Sequence, residues 1–286
     1  MPRELRQVTL PDGTPFWCLR PSEIKLIYDS VQAYFRNGIT VNDGDIVFDV
    51  GANIGLFAHQ VRQLGRRDVS IFSFEPIPDV FEALQVNARH FDPEHWIALP
   101  FGLGRHSGTT TFGYHVRASM FSSAYPDASL EERVRWRQTF LRNLHQFPWS
   151  VRWLGWLPSF LRSPLLDYGI RRLWKIRTVT CAMRTVSEVV REHGLPRIDL
   201  LKIDVEKGEM DVLAGIEDED WKKIRQLIVE VHDLECGRVA ATEALLKQHG
   251  FAHVVIEQEP ILRGTDIFNL YARRDRAAVP NLRSAG

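Results

Sequence analysis

Cysteine is scarce in this chain. There are three in 286 residues, Cys18, Cys181 and Cys236, far apart and without metal-ligand spacing. An odd, scattered set excludes a disulfide framework and points to a reducing compartment. Net charge is missing as well: 36 basic residues meet 36 acidic ones, so the total gives no reason to expect nucleic acid as a partner. No uninterrupted apolar run approaches the roughly 20 residues of a membrane helix, which argues against a membrane span. The opening Met-Pro-Arg-Glu-Leu-Arg lacks the apolar stretch of a signal peptide, so a cytoplasmic location is expected. Repeats and low-complexity segments are absent. A composition of 44% apolar and 25% charged residues then describes an ordinary soluble chain of one or two domains.

What is present begins with Ile46-Val-Phe-Asp-Val-Gly-Ala-Asn-Ile-Gly55. An apolar run leads into Asp49, then into Gly51 and Gly55, and Leu56, Phe57, Val61 and Leu64 follow at helical spacing. This reads as strand, glycine turn and helix, the first unit of a nucleotide-binding α/β domain. Gly51 is expected to let the backbone approach a ligand, and Gly55 to let the helix start pack on the strand. The pattern is Asp-x-Gly-x-Asn-x-Gly, with Asn53 at its centre, rather than the Gly-x-Gly-x-x-Gly suited to a pyrophosphate. A strand-end acid opposes a diphosphate but suits the ammonium of an amino-acid-bearing cofactor, and S-adenosylmethionine fits. A nicotinamide-dependent oxidoreductase would share the fold and the acid after the second strand, but this chain lacks the glycine pattern that its pyrophosphate needs.

Further strand ends supply further polar groups. Val69–Phe74 ends in Glu75-Pro76, which places Glu75 to accept both ribose hydroxyls or, alternatively, to cap the helix that follows. Phe101-Gly102 comes just after a third strand, Trp96–Leu99, where an adenine ring would lie. Ile198–Ile203 closes in Asp204-Val205-Glu206, and Leu227–Val231 closes in His232-Asp233. Ligands sit beyond the carboxyl ends of strands in open parallel sheets, so Asp49, Glu75, Asp204 and His232 are expected to line one crevice.

Taken together, Asp49-Val-Gly-Ala-Asn-Ile-Gly55, Phe74-Glu75-Pro76, Ile203-Asp204-Val205-Glu206 and Val229-Glu230-Val231-His232 resemble the motif set of the FkbM family of S-adenosylmethionine-dependent O-methyltransferases. The similarity runs from about Leu10 to Tyr271. One departure is Lys207, standing where the family's Asp-x-Glu-Gly-x-Glu has its first glycine; Gly208 follows and Glu209 keeps its place. The resemblance implies a class I, Rossmann-like α/β fold, doubly wound and mostly parallel with an antiparallel final strand. It also implies a hydroxyl-bearing small-molecule acceptor, a polyketide, peptide or sugar intermediate. A non-catalytic docking protein that keeps the pocket is disfavoured because the strand-end polar residues are all present.

Methyl transfer to a hydroxyl calls for a base, and His232 and Asp204 are the candidates. Asp204 has two alternative roles, holding the methionine amino group or orienting His232. Glu206, Glu230, Asp204 and His232 have the chemistry of divalent-metal ligands, but no ligand-spacing signature supports a metal, and none is assigned. His115 and His145 are weaker candidates for the base, and Tyr28 and Tyr34 read as packing aromatics more than as site residues.

The chain divides into an N-terminal hairpin and helix (1–42), a cofactor-binding domain (43–272) and a tail (273–286). A helical insertion (114–177) interrupts the domain, broken by Pro148, Pro158 and Pro164. The insertion holds five of the eight tryptophans, and from Glu131 to Arg177 ten basic residues oppose three acids, a local charge of +7. Three readings stay open: a packing lid with solvated arginines, a docking face for an acyl or peptidyl carrier protein, and a membrane-surface or nucleic-acid contact.

Overall fold

The computed structural model describes residues 4–64, 68–116, 122–124, 134, 137–138, 141, 152–173, 176–233 and 237–275. Strands β1 (Arg6–Thr9) and β2 (Pro15–Cys18) form the expected antiparallel hairpin, turned at Asp12-Gly13 with Gly13 at φ +88°. Helix α1 (Pro21–Gln32) starts on a proline, which has no N–H to leave unpaired there. It ends at Gln32, where the Ala33 and Tyr34 N–H groups bond back to the Ser30 and Val31 carbonyls in a tighter turn, and Asn37 and Gly38 then turn left-handed, at φ 55° and 79°.

The glycine turn follows strand β3 (Ile46–Val50) and opens helix α2 (Leu56–Gln63). Strand β4 (Ser70–Phe74), helix α3 (Pro78–Phe91) and strand β5 (Trp96–Leu99) continue the alternation. Strands β6 (Gly102–Leu103), β7 (Gly108–His115) and β8 (Ile176–Arg184) come next, with helix α4 (Ser159–Leu173) between β7 and β8. Helix α5 (Val186–Glu192), strand β9 (Leu200–Ile203), helices α6 (Glu209–Ala214) and α7 (Asp218–Trp221) and strand β10 (Gln226–His232) complete the parallel part. Helix α8 (Arg238–Gln248) and strands β11 (His253–Glu257) and β12 (Ile267–Arg273) close the fold.

Seven strands form the central sheet in the order β11-β12-β10-β9-β3-β4-β5. β3, β4, β5, β9 and β10 pair in parallel, and β12 runs antiparallel between β10 and β11. The chain leaves β3 toward β5 on one side and returns through β9 and β10 on the other. The switch point, where such sheets open a crevice, therefore lies between β3 and β9. Alternate residues serve two cores: Val47, Leu200 and Ile228 meet Phe57, Val61 and Leu84 of α2 and α3, whereas Phe48, Leu201 and Val229 meet Val189, Val212 and Leu246 of α5, α6 and α8. No described helix is long and apolar enough to cross a membrane.

The insertion differs from its expected form. Tyr114 and Arg177, its expected ends, are strand residues: β7 and β8 pair antiparallel from Gly108–Met183 to His115–Ile176, with β6 beside β8. Their Thr-rich alternation is a strand signal that the tryptophans and prolines overshadow. α4 runs through Pro164 without breaking, and a short 3₁₀ turn covers Trp153–Trp156. Glu131, Glu132, Arg133, Arg135, Trp136, Arg142, His145, Pro148, Trp149, Trp174 and Lys175 lie outside the described residues, as does Cys236.

Candidate functional site

A cavity of about 440 Å³ opens at the carboxyl ends of β3, β4, β9 and β10; Leu26 and Val31 of α1 and Tyr34 in the turn after it cover it. Gly51, Asn53, Glu75, Pro76, Gly102, Asp204, Glu206 and Glu230 line it, together with Ile77, Met183, Lys202 and Glu259. Asp49, Gly55, Phe101 and His232, also expected at the site, stand behind its wall.

The glycine turn works differently from its expected role at one position. At Gly51, φ is +77° and a Cβ would fall 1.8 Å from the carbonyl oxygen of Asp204. The missing side chain therefore admits the end of β9, not only a ligand. Gly55, at φ +95°, packs as expected of a helix start: a Cβ there would meet Trp96 at 2.5 Å and Leu84 at 2.9 Å.

Between them, Asn53 takes a left-handed φ of 50° and its N–H donates to Glu75 Oε2 at 3.0 Å. The Ile77 N–H donates to Oε1 at 2.9 Å, so the carboxylate is held at both oxygens. Burial pushes the Glu75 pKa up to about 8, against the two N–H donors that favour its ionised form. Each oxygen keeps a further acceptor direction. Asn53 Oδ1 is buried with no hydrogen-bond partner among the described residues.

Phe101, expected beside an adenine, does not line the cavity. Its ring packs on Phe74 at 5.8 Å and under the Arg184 guanidinium at 5.1 Å, because strand alternation turns it away from its neighbour Gly102. Ile77, Val80 and Met183 supply the apolar surface at that end instead. Nothing in the sequence motifs marked them.

Asp49 is fully buried, and its Oδ1 lies 3.1 Å from Lys202 Nζ. The expected ammonium partner of a cofactor is thus already opposite an ammonium of the protein. Lys202 Nζ also donates to the Gly51 carbonyl at 3.0 Å and stands 3.4 Å from Asp204 Oδ2. Burial works to lower the Lys202 pKa, but Asp49 and Asp204 outweigh it and the net shift is upward. Burial raises Asp49 itself, with Lys202 opposing. Tyr34 donates its hydroxyl to Asp204 Oδ2 at 3.1 Å, so it belongs to the site, not only to the packing. Tyr28 instead donates to Asp12 Oδ2 in the hairpin at 3.0 Å, consistent with a packing role.

His232 is 3% exposed and sits between two acids. Nδ1 is 2.9 Å from Glu209 Oε1, and Nε2 is 3.2 Å from Glu206 Oε2 without hydrogen-bond alignment. Burial alone would lower its pKa; Glu206 and then Glu209 outweigh burial and carry it well above the usual value. A neutral base facing the cavity, the form expected from its reference pKa, is therefore not what the structure presents. Glu206 and Glu230 do face the cavity, and burial raises both, Glu230 further under the charge of Asp204. Glu209 also accepts the Lys207 N–H at 2.8 Å. Lys207, at φ 78°, holds the left-handed conformation that the family's glycine would favour, whereas Gly208 stays at φ −99°. His115 is buried at the end of β7 and does not line the cavity.

With this geometry in view, comparison with known proteins is informative. Residues 49–254 match the model of the methyltransferase FkbM domain. The chain is 35% identical over 274 residues to the 31-O-demethyl-FK506 methyltransferase FkbM of Streptomyces tacrolimicus, covering 93% of this chain and 95% of that protein. It is also 35% identical over 277 residues to the AMB antimetabolite synthetase AmbE of Pseudomonas aeruginosa, covering 94% of this chain but 12% of that much longer protein. Among solved structures, the methyltransferase FkbM of Methylobacillus flagellatus superposes with a TM-score of 0.51 at 13% identity, over 85% of this chain and 47% of that one. The fold is that of a class I, Rossmann-like methyltransferase, and the chain belongs to the FkbM methyltransferase family.

Proposed function

We propose that this methyltransferase uses S-adenosylmethionine to methylate a hydroxyl group of a natural-product intermediate. The observation that carries the reading is Glu75. It is a buried carboxylate with both oxygens oriented by backbone N–H groups and acceptor directions left on the cavity side, which suits a ribose diol. The unpartnered Asn53 Oδ1 and the apolar surface of Ile77, Val80 and Met183 fit the rest of an adenosine. Oxygen as acceptor is supported by the relative named for a 31-O-demethyl substrate, and natural-product assembly by the match to part of a synthetase.

S-adenosylmethionine, when bound, supplies a methyl that passes in line to the acceptor oxygen as the carbon–sulfur bond breaks. The chain's residues position the acceptor and take its proton. Orientation of this kind contributes about 7–11 kcal/mol, and a proton acceptor about 10²–10⁴-fold in rate. Asp204 is the acceptor in this reading: it lines the cavity, and Tyr34 and Lys202 both fall on its Oδ2, so neither occupies Oδ1. Asp49 serves by holding Lys202. His232 stands behind the wall and is not the base in this reading, because carboxylates face both of its ring nitrogens.

The test uses labelled S-adenosylmethionine with alcohol, amine and thiol acceptors from natural-product extracts, on wild type and Asp204→Asn. The reading expects label on oxygen and a loss of about 10²-fold or more in single-turnover rate for the variant, with cofactor affinity within a few-fold. Label on nitrogen or sulfur, or an unchanged rate, would overturn it.

A further inference from the structure

The two acids and the histidine at the ends of β9 and β10 do more than surround one another. Glu230 and His232 alternate on β10 and so project from the same side of the strand, and Glu206 stands in the turn after β9, just past Asp204 and Val205. One ligating atom from each lies within 4.8 Å of the others. We propose that Glu206, Glu230 and His232 bind one divalent cation at the edge of the cavity.

Three observations carry this beyond a cluster of acids. The first is the histidine. It is 3% exposed, and its Nε2 lies 3.2 Å from Glu206 Oε2 without an aligned hydrogen bond among the described residues. A divalent cation between the carboxylates would take the place of the Nε2 proton, leaving that nitrogen's lone pair to ligate it. The second is Glu209, whose Oε1 lies 2.9 Å from Nδ1 and is itself held by the Lys207 N–H. Carboxylate–histidine pairs of this kind fix the ring and its tautomer when the other nitrogen ligates a metal. The third is the backbone: Glu206 and Lys207 both take left-handed φ, at 53° and 78°, which costs energy in non-glycine residues and aims the Glu206 side chain toward β10.

Two carboxylate oxygens and one imidazole nitrogen suit a hard or borderline ion such as Mn²⁺ or Mg²⁺, and three protein ligands leave open positions. Glu206 and Glu230 line the cavity, so an open position faces its interior. In the reaction proposed above, and resting on that reading, the acceptor oxygen takes this position. A cation held there would supply Lewis-acid polarisation of the hydroxyl, whose proton Asp204 takes, and no redox change is involved.

The experiment uses the full chain stripped with chelator, then titrated with MnCl2 and followed by electron paramagnetic resonance and calorimetry. One Mn²⁺ per chain is expected. Glu230→Gln and His232→Ala should weaken it at least 100-fold, and Glu209→Gln about 10- to 100-fold through loss of ring orientation. Circular dichroism checks that each variant is folded; Glu206→Gln, at a partly exposed position, carries the test if His232→Ala is not. Absence of a stoichiometric site, or Mn²⁺ affinity unchanged in both Glu206→Gln and Glu230→Gln, overturns the proposal. S-adenosylmethionine titrated into the same samples separates the two readings. Cofactor binding without Mn²⁺ binding rejects the metal and leaves the methyltransferase reading in place, whereas Mn²⁺ binding without cofactor binding does the reverse.

Discussion

Asp49 and Lys202 face each other in register on the adjacent parallel strands β3 and β9, with carboxylate and ammonium 3.1 Å apart. Both side chains are buried, and the same ammonium reaches the carbonyl of Gly51 and the carboxylate of Asp204. One lysine thus ties the glycine turn to the neighbouring strand end. Ser73 continues the row on β4, opposite Asp49, and its hydroxyl accepts the Trp96 indole N–H at 2.9 Å.

Breaking this pair on one side should be costly. Lys202→Met leaves Asp49 buried without its ammonium, and an uncompensated buried charge costs about 3–5 kcal/mol. The double variant Asp49→Asn/Lys202→Met removes both charges and should recover at least half of that loss. Urea unfolding of the wild type, the single and the double variants measures it; a double variant as unstable as the single would refute the pairing.

Glu75 makes cofactor affinity depend on pH. Its pKa is about 8 in the ligand-free protein, and ribose hydroxyls donate to the ionised carboxylate, so bound cofactor lowers that pKa. Affinity should therefore rise as pH climbs from about 6.5 to 9 and level off above the free-state pKa, by up to roughly ten-fold. In the ligand-free protein the same raised pKa works the other way: the stability that Glu75 contributes at low pH is lost as pH rises toward about 8. Glu75→Ala should cost about 1.5–3 kcal/mol of binding, or 10- to 100-fold, and abolish the pH-dependent rise. Calorimetry across pH decides the matter.

Lys207 carries the conformation of a glycine without being one. Lys207→Gly relieves a left-handed backbone that costs about 1–2 kcal/mol and adds unfolded-state entropy worth about 0.5–1 kcal/mol, a net stabilisation of about 0.5–1 kcal/mol. A denaturation midpoint lower than wild type would show that the lysine side chain matters more than the strain.

The basic segment from Glu131 to Arg177 should govern the acceptor and not the cofactor. Of its arginines, Arg137 lies 3.4 Å from Asp167 of α4. Charge reversal at Arg133, Arg135 and Arg137 together should raise KM for a carrier-tethered acceptor, most strongly at low salt, because exposed charges are screened beyond about 8 Å at physiological ionic strength. Calorimetric affinity for S-adenosylmethionine should stay the same. Equal rates for free and tethered acceptor, with no effect of salt, would reduce the segment to a packing lid.

The sequence by itself determined the α/β alternation, the left-handed glycine turn and the acids at the ends of β4 and β9. These are local properties: apolar period, φ tolerance and the residue type that closes a strand are written within ten residues of one another. Only the tertiary structure decided what those residues face. Lys202 is one more strand residue until the register of β9 against β3 sets it opposite Asp49. His232 passes for a free histidine until α6 brings Glu209 to one ring nitrogen and the left-handed turn brings Glu206 to the other. Tyr34 joins the site because the turn after α1 brings it to Asp204, 170 residues away in the chain. Long-range pairing placed these groups, and it also turned the ends of the expected helical insertion into strands, since β7 and β8 find each other across the residues between them.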